Sequence, residues 1–449
     1  MRLRERLPFY DTLVLPYHKA QGVAASVKNG FPARKMTVIG VTGTNGKTTT
    51  CFMIYKMLLE AGRKVGLMTT VAYGVGEDIH EQVHHMTTVS AGLLNQRMKE
   101  IADAGAEYLV LEVTSHALAQ YRITGVPIDI AVMTNVTHEH LDYHRTFERY
   151  RDAKRKLFKL ANRNRAGRAI GVINADDASA KFFKKDILRP ITYGVDHGDW
   201  RATQVKVGTQ GVEYWLKNGK EKLHIRTKLA GQFNVYNSMA AAVVGLNLGL
   251  TEKEVEKGLW ALATVEGRMA RIDEGQDFEV IVDYAHTPDA FKVLFEALPK
   301  PKNGRVIVMF GSAGGRRDPS KRAPQGEIAG EHADVVILTE EDDRDTPNEE
   351  ILNQIAAGAE RSGRVRAKKV PKNGEAANLA VENGENLFLV ARRPEAIRLA
   401  IGMAKKGDLV LLLGKGHEKT MEGAEGEKPY YEPDEARKAL RARLNRLRR

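Results

Sequence analysis

The sequence is short of cysteine and of long apolar runs. Its 449 residues include one cysteine, Cys51, which excludes an intrachain disulfide and a zinc site built from several cysteines. No apolar run approaches the roughly 18 residues that a membrane-spanning helix needs, and Leu409–Leu413 is typical of the longest. The charged start of the chain is interrupted by Pro8 and Pro16, so no signal-peptide core forms. These absences predict a cytoplasmic protein that is not inserted into a membrane.

The composition is that of a globular protein with two or three domains. Apolar residues make up 43% of the chain and charged residues 28%, and at about 150 residues per domain the length gives this domain count. The formal net charge of +12 favours acidic partners, among them phosphorylated small molecules. The basic run from Arg437 to Arg449 is typical of a solvated helix end, and no RNA-binding signature accompanies it. Nucleic acid is therefore not an expected partner.

The first half of the sequence alternates short β-branched runs with helical patterns, which predicts a parallel α/β sheet. Between residues 200 and 228 an alternating pattern predicts an antiparallel meander, and a second α/β series begins near residue 278. We therefore predict an α/β protein with a short lead-in at 1–36, a central domain at 37–264 and a smaller Rossmann-like domain at 265–449. The central domain combines a mostly parallel sheet with the small meander. The predicted parallel strands are Val38–Val41, Val65–Thr70, Tyr108–Val113, Ile130–Val136, Ala169–Asn174, Phe278–Asp283, Arg305–Phe310, Val335–Thr339 and Asp408–Leu413.

An apolar strand, a glycine-rich turn and the start of a helix follow one another at Val38–Thr50. Glycines let successive backbone N–H groups point at phosphate oxygens, and the helix N-terminus adds positive potential. In such a loop the Lys47 ammonium reaches the terminal phosphates and the Thr48 hydroxyl is offered to Mg²⁺. The spacing departs from the strict motif, because five residues instead of four separate Gly40 from Gly46. The pattern predicts a nucleoside-triphosphate site formed by Gly43, Thr44, Asn45, Gly46, Lys47, Thr48 and Thr49. The domain at 37–264 is therefore predicted to be a P-loop domain, and kinases, ATPases, GTPases and ligases all stay open.

Two further segments predict metal ligands beside this loop. Glu112 ends an apolar strand, and the carboxyl edge of a parallel strand next to a phosphate loop is where a metal ligand belongs. The histidine-rich segment His138–His144 comes just after the strand that ends near Val136. Alternating His and Asp could form a zinc site on a strand, but this segment follows a strand end. One histidine that helps to hold a second Mg²⁺ is the favoured interpretation.

Eight motifs follow one another along the chain: Gly43–Thr48, Glu112–His116, His140–Asp142, Asn174–Asp177, Asn234–Asn237, Gly267–Arg268, Asp283–Pro288 and Gly414–Glu418. Together they resemble the Mur ligase family, most closely the MurE-type UDP-N-acetylmuramoyl-peptide ligases, which implies that the P-loop domain at 37–264 is an ATPase domain whose loop binds ATP. The resemblance runs from about Val38 to Glu418, and the ordered set is far more specific than any one motif. It implies that ATP phosphorylates a peptide carboxylate and that the amine of an incoming amino acid then attacks the acyl phosphate.

The resemblance also implies a role for each matching residue. Without it Lys154 is interpreted as a solvated helix lysine, but the matching lysine of the family is carbamylated to give a metal ligand. The implied catalytic residues are Lys47, His140, Lys154 and Arg268. The implied ligands of two Mg²⁺ ions are Thr48, Glu112, His140 and carbamylated Lys154. The other implied ATP-binding residues are Asn174, Asp177, Asn237, Arg268 and Asp283, the last two from the second domain.

The substrate side is carried over in part. The positions that match the acceptor site are Thr87, Thr88, Ser115 and Arg122, and those that match the amino-acid pocket are Arg344, Gly414 and Glu418. Where diaminopimelate enzymes carry Asp-Asn-Pro-Arg, this chain has Glu341–Arg344 within an acidic stretch. That stretch either receives an ammonium group of the substrate or is a solvated acidic loop. A diamino acid is expected, and its identity stays open.

The acceptor and the class of function also have alternatives. Only 39 residues precede Gly40, too few for the separate N-terminal domain that holds UDP in the usual enzymes. We expect a reduced UDP site or an acceptor without a nucleotide, such as a folate, polyglutamate or lipid-linked precursor. Two other classes stay open, a non-ligating P-loop protein whose nucleotide regulates assembly and a basic nucleic-acid-binding ATPase. We expect a monomer that closes its active site by hinge rotation near residues 264–268.

Overall fold

The computed structural model describes residues 10–82, 87–164, 166–208, 211–298, 300–315 and 317–447. The chain divides into two compact units, Met1–Ala263 and Thr264–Arg449. Within the described ranges, no helix is both long and apolar enough to cross a membrane. The predicted fold class is confirmed, because a large and mostly parallel sheet is followed by a second, smaller α/β sheet.

The first unit is built on one eleven-stranded sheet. Its strands are β1 (Thr37–Thr42), β2 (Val65–Met68), β3 (Ala72–Val75), β4 (Asp78–Glu81), β5 (Tyr108–Glu112), β6 (Ile130–Met133), β7 (Ile170–Asn174), β8 (Arg189–Gly194), β9 (Trp200–Gly208), β10 (Gly211–Asn218) and β11 (Glu221–Thr227). They lie in the order β11–β10–β9–β8–β7–β6–β1–β5–β2–β3–β4. Neighbours from β9 to β2 pair in parallel, whereas β9–β10–β11 and β2–β3–β4 pair antiparallel.

Burial explains which strands the sequence pattern found. Strands β5, β6 and β7 are almost wholly buried, as is usual for parallel strands covered on both faces, and their apolar runs predicted them. The predicted meander is confirmed as β9–β11. The hairpin β3–β4 and the parallel strand β8 were not predicted. Both contain exposed positions, and β8 begins at the exposed Arg189–Pro190, so neither is a continuous apolar run.

Nine α-helices and one 3-10 helix (Pro32–Lys35) are described in this unit. The α-helices are α1 (Tyr10–Lys28), α2 (Lys47–Glu60), α3 (Ala91–Asp103), α4 (Ser115–Ala119), α5 (Leu141–His144), α6 (Phe147–Arg163), α7 (Ala180–Lys184), α8 (Gln232–Asn247) and α9 (Glu252–Ala261). Helix α1 was not predicted, because Pro16 lies inside it and proline disfavours a helix interior. Tertiary contacts support it nonetheless. Ser26 donates to the carbonyl of Thr124 at 3.0 Å, and an added Cβ at Gly22 would lie 2.8 Å from the carbonyl oxygen of Tyr121.

The second unit has a six-stranded sheet and a separate two-stranded hairpin. The sheet strands are β12 (Ala270–Arg271), β13 (Glu279–Asp283), β14 (Val306–Phe310), β15 (Val335–Leu338), β16 (Leu387–Leu389) and β17 (Leu409–Leu413), in the order β12–β13–β17–β14–β15–β16. All neighbours are parallel except β12 and β13. The hairpin is β18 (Thr420–Gly423) and β19 (Gly426–Pro429). The helices are α10 (Pro288–Ala297), α11 (Arg322–His332), α12 (Asn348–Arg361), α13 (Gly374–Glu382), α14 (Arg393–Met403) and α15 (Glu432–Leu447).

Parallel pairing places the chemistry-bearing residues at one edge of each sheet. In the first unit β1 lies between β5 and β6, and Val41 is opposite Glu112, so the loop after β1 and the end of β5 are neighbours. In the second unit β13 and β17 are neighbours with Asp283 opposite Leu413. Their carboxyl ends therefore bring Asp283 and the loop that starts at Gly414 to the same edge.

Candidate functional site

The loop after β1 has the geometry of a phosphate-binding loop. Helix α2 begins at Lys47, and its N-cap, Gly46, has a φ of 80°, a conformation that favours glycine. An added Cβ at Gly46 would lie 2.2 Å from Oδ1 of Asn237, and one at Gly43 would lie 1.8 Å from Oγ1 of Thr134. Glycine is therefore required at both positions by the close approach of neighbouring side chains.

The loop is held in place by residues that follow β6. The backbone N–H of Asn45 donates to Oδ1 of Asn135 at 2.9 Å, and that of Thr44 donates to the carbonyl of Asn135 at 2.8 Å. The Thr134 hydroxyl donates to the carbonyl of Asn45 at 2.7 Å. Lys47 folds back over the loop, with Nζ 2.7 Å from the carbonyl oxygen of Thr44. These bonds preorganise a helix N-terminus and an ammonium group around an anion-sized turn.

Glu112 links the loop to the neighbouring strands. Its Oε2 accepts from the Thr48 hydroxyl at 3.0 Å and from the backbone N–H of Thr70 at 3.0 Å. The carboxylate is buried, with 1% of the residue exposed. A hydroxyl and a carboxylate side by side, next to a phosphate loop, form the all-oxygen donor set that Mg²⁺ prefers, so the residues present fit a magnesium ion.

Lys154 is buried in the same place. Its Nζ donates to the carbonyl of Gly43 at 2.5 Å and lies 4.4 Å from the centre of the Tyr150 ring. Burial, followed by the nearby Lys47 charge, holds the pKa of the Lys154 ammonium well below its usual range, although Glu139 and Glu112 oppose the shift. The interpretation of Lys154 from its residues alone, a solvated helix lysine, is therefore wrong for this structure. The sequence did contain a sign that Lys154 is buried, because residue 154 shares the apolar face of α6 with Leu157 and Phe158.

A group of aromatic rings and histidines lies beside Lys154. The rings of His116 and His140 are 4.7 Å apart, and Nε2 of His144 is 3.0 Å from the Ser115 hydroxyl. Burial, with His140 nearby, lowers the pKa of His116 to about 3. Among the described residues no group of three His, Cys, Asp or Glu side chains suits a metal ion. The side chain of Asp142, in the matching motif, lies outside the described set.

The residues predicted for the acceptor lie next to Glu112. The Thr88 hydroxyl donates to the Glu112 carbonyl at 3.1 Å, and the Thr70 hydroxyl donates to that of Thr87 at 3.0 Å. Nη1 of Arg122 donates to the carbonyl of Thr88 at 2.6 Å, and burial lowers the pKa of this guanidinium. The half-buried Arg122 guanidinium is thus bonded to Thr88, which is in turn bonded to Glu112 of the candidate magnesium site.

The residues predicted for the nucleotide surround the other side of the loop. Asn174 donates to the carbonyl of Thr134 at 2.8 Å, and Asp177 accepts from the backbone N–H of Val136 at 2.7 Å. Burial raises the pKa of Asp177. Asn237 lies against Gly46, as the close approach described above shows, and its Nδ2 donates to Asn234 at 3.0 Å.

In the second unit, Arg268 and Asp283 also lie together. Asp283 accepts from the backbone N–H groups of Met269 and Ala285, both at 2.7 Å, and its pKa is raised by burial against an opposing effect of Arg268. The Arg268 guanidinium lies 4.8 Å from the centre of the Tyr284 ring. Its Nε is buried without a hydrogen-bond partner among the described residues, which leaves one donor for a ligand.

The amino-acid pocket predicted from the sequence contains a network of ion pairs. Lys415 is fully buried, and its Nζ lies 2.8 Å from Asp342 and 2.6 Å from Glu418. Nε of Arg344 donates to Glu422 on the β18–β19 hairpin at 2.6 Å. Gly414 approaches Glu341 so closely that an added Cβ would lie 2.5 Å from its Oε2. The predicted residues Arg344, Gly414 and Glu418 thus belong to one charged cluster whose cations are already paired.

Comparisons with known proteins cover both units of the chain. The Mur ligase middle domain matches residues 41–245, and the Mur ligase, glutamate ligase domain, matches residues 267–416. The UDP-N-acetylmuramyl-tripeptide synthetase of Roseiflexus sp. (strain RS-1) is 41% identical over a region that covers 92% of this chain and 80% of that protein. The chain belongs to the Mur ligase family. Members of this family are ATP-dependent ligases that form peptide bonds, and this Mur ligase is an enzyme of that class.

Two further similarities extend this result. The UDP-N-acetylmuramoyl-L-alanyl-D-glutamate–2,6-diaminopimelate ligase of Geobacillus kaustophilus (strain HTA426) is 38% identical over 90% of this chain and 79% of its own. A solved structure of a 2,6-diaminopimelate ligase has a TM-score of 0.63, at 27% identity over 95% of this chain and 83% of its own. A folylpolyglutamate synthase of Mycobacterium tuberculosis, at 15% identity and a TM-score of 0.65 over 88% of this chain and 92% of its own, shares the fold.

Sequence reasoning missed two groups that shape the sites of this Mur ligase. Asn135 and Thr134 hold the phosphate loop, and their position after β6, next to β1, was a signal that could have found them. Lys415 lies between the predicted Gly414 and Glu418, yet nothing in a local pattern indicates that its charge is buried. Within the first unit the structure brings Thr48 to Glu112 and Lys154 to the loop, and within the second it brings Arg268 near Asp283.

Proposed function

We propose that this Mur ligase joins an amino acid to the carboxylate of a muramoyl-peptide acceptor, in an ATP-driven step of peptidoglycan precursor synthesis. One observation carries the proposal: the Thr48 hydroxyl, the Glu112 carboxylate and the buried Lys154 amine all converge on a phosphate loop. A protein that only binds nucleotide has no evident need for the last of these groups. The names of the relatives, a tripeptide synthetase and a diaminopimelate ligase, support the same reaction.

In the proposed reaction an acceptor carboxylate oxygen attacks the terminal phosphorus of ATP, and ADP leaves. The amine of the amino acid then attacks the acyl carbon, phosphate leaves with the C–O electron pair, and the amine loses a proton. Lys47 and Arg268 oppose the charge that develops on the transferred phosphoryl group. Thr87, Thr88, Ser115 and Arg122 hold the acceptor, because they lie beside Glu112 and offer hydroxyl and guanidinium donors.

Lys154 is proposed to act as a carbamate. Its neutral amine would attack CO₂, form an N–C bond and release one proton to solvent, which gives a carboxylate in place of an ammonium. The lowered pKa supplies the neutral amine that this step needs. We propose that Thr48 and Glu112 hold one Mg²⁺, and that His140 and carbamylated Lys154 hold a second. Bound there, magnesium would neutralise phosphate charge during transfer.

In the second unit, Arg344, Gly414 and Glu418 are proposed to hold the incoming amino acid. A diamino acid suits this cluster, because Oε2 of Glu341, beside Gly414, is buried without a hydrogen-bond partner among the described residues and can receive a second ammonium group. Asn174, Asp177 and Asn237 are proposed to support the nucleotide side of the loop, and Asp283 to orient the segment that carries Arg268. The proposal includes a monomer in the cytoplasm, which light scattering and cell fractionation test.

The experiment is a matrix of phosphate-release assays on the full chain. The acceptors are UDP-N-acetylmuramoyl-L-alanyl-D-glutamate, the same muramoyl dipeptide without UDP, and a folyl-glutamate. Each is tested with 2,6-diaminopimelate, L-lysine, L-ornithine and no amino acid, and products are identified by mass. We expect release that requires both a muramoyl acceptor and a diamino acid. Release that is independent of acceptor and amino acid, or none with any pair, would contradict the proposal, and a preference for the folyl-glutamate would replace its acceptor.

A further inference from the structure

The net charge of this chain is concentrated in one part of its sequence. Residues 145–228 contain 21 lysines and arginines against 9 aspartates and glutamates, a formal net charge of +12. The remaining 365 residues are balanced, with 48 basic and 48 acidic side chains. Of the cations assigned above to the active site, only Lys154 falls in this segment. The ligation chemistry therefore does not account for the excess charge.

Five of these 21 basic residues lie on one face of the β9–β11 meander. Side chains alternate between the two faces of a strand. Tyr214 points to the buried face, where its hydroxyl lies 2.8 Å from that of Ser238 on α8, and Leu216 and Ile225 are buried on the same face. The opposite face carries Arg201, Lys206, Lys217, Lys222 and Arg226, and we call these five residues the basic face.

The strand register aligns three of these cations in one row. Lys217 on β10 is directly opposite Arg201 on β9 and Lys222 on β11. Like charges in directly opposed positions destabilise a sheet. Across the described ranges, no carboxylate forms an ion pair with Arg201 or Lys217. Glu213 lies on the same face but is engaged by His224 at 2.8 Å and by Lys206 at 3.8 Å. The row is thus a fixed, uncompensated positive charge that an external anion would relieve.

Tryptophans accompany the cations. Trp260, on α9 at the edge of the basic face, is 44% exposed, with Arg226 and Lys228 positioned 5.2 Å and 5.0 Å from its ring centre. Trp215, within the face, is already stacked with His224 at 4.6 Å and covered by the Lys222 ammonium at 3.8 Å. An exposed tryptophan between cations is typical of protein surfaces that meet the lipid headgroup region. A ring that is already covered is a poor platform for stacking nucleic-acid bases.

We propose that the basic face docks reversibly on an anionic bilayer surface, with phospholipid headgroups as its partner and Trp260 at the headgroup level. Charge complementarity carries the proposal. A flat row of cations suits a surface of dispersed negative charge, and several basic residues near such a surface add their attractions. The docking is peripheral, and it is separate from the proposed ligation, since none of these residues belongs to either site described above.

The experiment is flotation of the full chain with large unilamellar vesicles of phosphatidylcholine and phosphatidylglycerol in equal parts. Vesicles of phosphatidylcholine alone and buffers of low and high salt accompany them. The test variant combines Arg201→Glu, Lys217→Glu and Lys222→Glu. The matched control combines Lys368→Glu, Lys369→Glu and Lys372→Glu, three exposed lysines of the second unit, so both variants change the charge equally. Circular dichroism and phosphate release confirm that each variant is folded.

We expect the wild type to bind only the anionic vesicles at low salt, and the basic-face variant to bind about tenfold less or weaker still. The control should lose less than about twofold, and Trp260→Ala should weaken binding without removing it. Equal losses in both triple variants would overturn the proposal, because net charge and not this face would then be responsible. Unchanged binding by the basic-face variant, or binding of a single-stranded oligonucleotide in preference to vesicles at equal salt, would also overturn it.

Discussion

The two sheets of this Mur ligase end in sites that treat charge in opposite ways. In the first unit, the amino groups of Lys47 and Lys154 are hydrogen-bonded to backbone carbonyls, those of Thr44 and Gly43. In the second unit, Lys415 is bonded to Asp342 and Glu418, and Arg344 to Glu422. The first site holds lysine amino groups against neutral dipoles, whereas the second holds its cations against carboxylates.

The difference decides what each site offers to a ligand. A cation that faces only carbonyl dipoles gains a full charge partner when a phosphate arrives. A cation that is already paired gains less, because an incoming carboxylate competes with the carboxylate in place. We therefore expect losses in the first unit to appear mainly as lost catalysis. In the second unit they should appear as lost stability or altered substrate preference.

Removal of the first unit's loop ammonium should produce the largest effect. Lys47→Ala leaves the terminal phosphates without a fixed counter-charge, and we expect phosphate release to fall by about a thousandfold or more. The control is Lys56→Ala on the same helix, where the ammonium pairs with Glu60 at 2.9 Å and lies away from the loop. Near-native turnover in a folded Lys47→Ala protein would contradict the role assigned to the first site, because the Lys47 ammonium would then be dispensable for catalysis.

A fully buried ion pair of the second unit tests the expected loss of stability. Arg393 and Glu432 are both fully buried, and Nε and Nη2 of Arg393 meet the carboxylate at 2.8 Å each. Arg393→Ala strands the Glu432 charge, which should cost about 3–5 kcal/mol of stability in this unit. Arg392→Ala is the matched control, because that side chain is 75% exposed.

The chain itself supplies the readout for this test. All three tryptophans, Trp200, Trp215 and Trp260, belong to the first unit, so their fluorescence reports on that unit alone. In a urea titration of Arg393→Ala, circular dichroism should show an earlier transition that fluorescence does not follow. Coincident transitions that both shift would show that the two units unfold as one, and that the pair does not act locally.

The same difference between the two sites explains which of their features could be predicted from the sequence. The phosphate loop occupies consecutive residues, and local rules for glycine turns and helix starts were enough to predict it. The ion pairs of the second unit join residues far apart, such as Lys415 with Asp342 and Arg344 with Glu422. Local spacing does not indicate which carboxylate meets which cation. Helix α1 was missed for a related reason, since its support comes from distant residues around Thr124.

Substitution of Lys154 tests whether the first site needs the carboxylate that carbamylation of this lysine would create. Lys154→Ala should lower ligation by about a hundredfold, and added formate or acetate should restore part of it by occupying the carbamate position. Lys156→Ala, on the same helix, is the control, because its ammonium lies over the Tyr121 ring at 5.0 Å. Wild-type protein in ¹³C-bicarbonate should show a carbamate carbon signal that Lys154→Ala lacks. A full-activity protein without that signal would contradict the assignment.

The smallest expected effect is that of Arg344→Ala, and it tests the difference between the two sites most directly. Arg344 is already bound to Glu422 at 2.6 Å, so Arg344→Ala should raise the amino-acid KM by only about tenfold, with the ATP KM little changed. Glu422→Gln removes the competing carboxylate and should lower the amino-acid KM in the wild-type background but not in the Arg344→Ala background. Glu425→Gln, in the same hairpin and 83% exposed, serves as its control. One outcome would contradict our inference that pairing with Glu422 weakens substrate binding by Arg344. In that outcome Glu422→Gln leaves the amino-acid KM unchanged while Arg344→Ala raises it, because the guanidinium then binds the substrate without leaving Glu422. A rise in the ATP KM instead would place Arg344 on the nucleotide side.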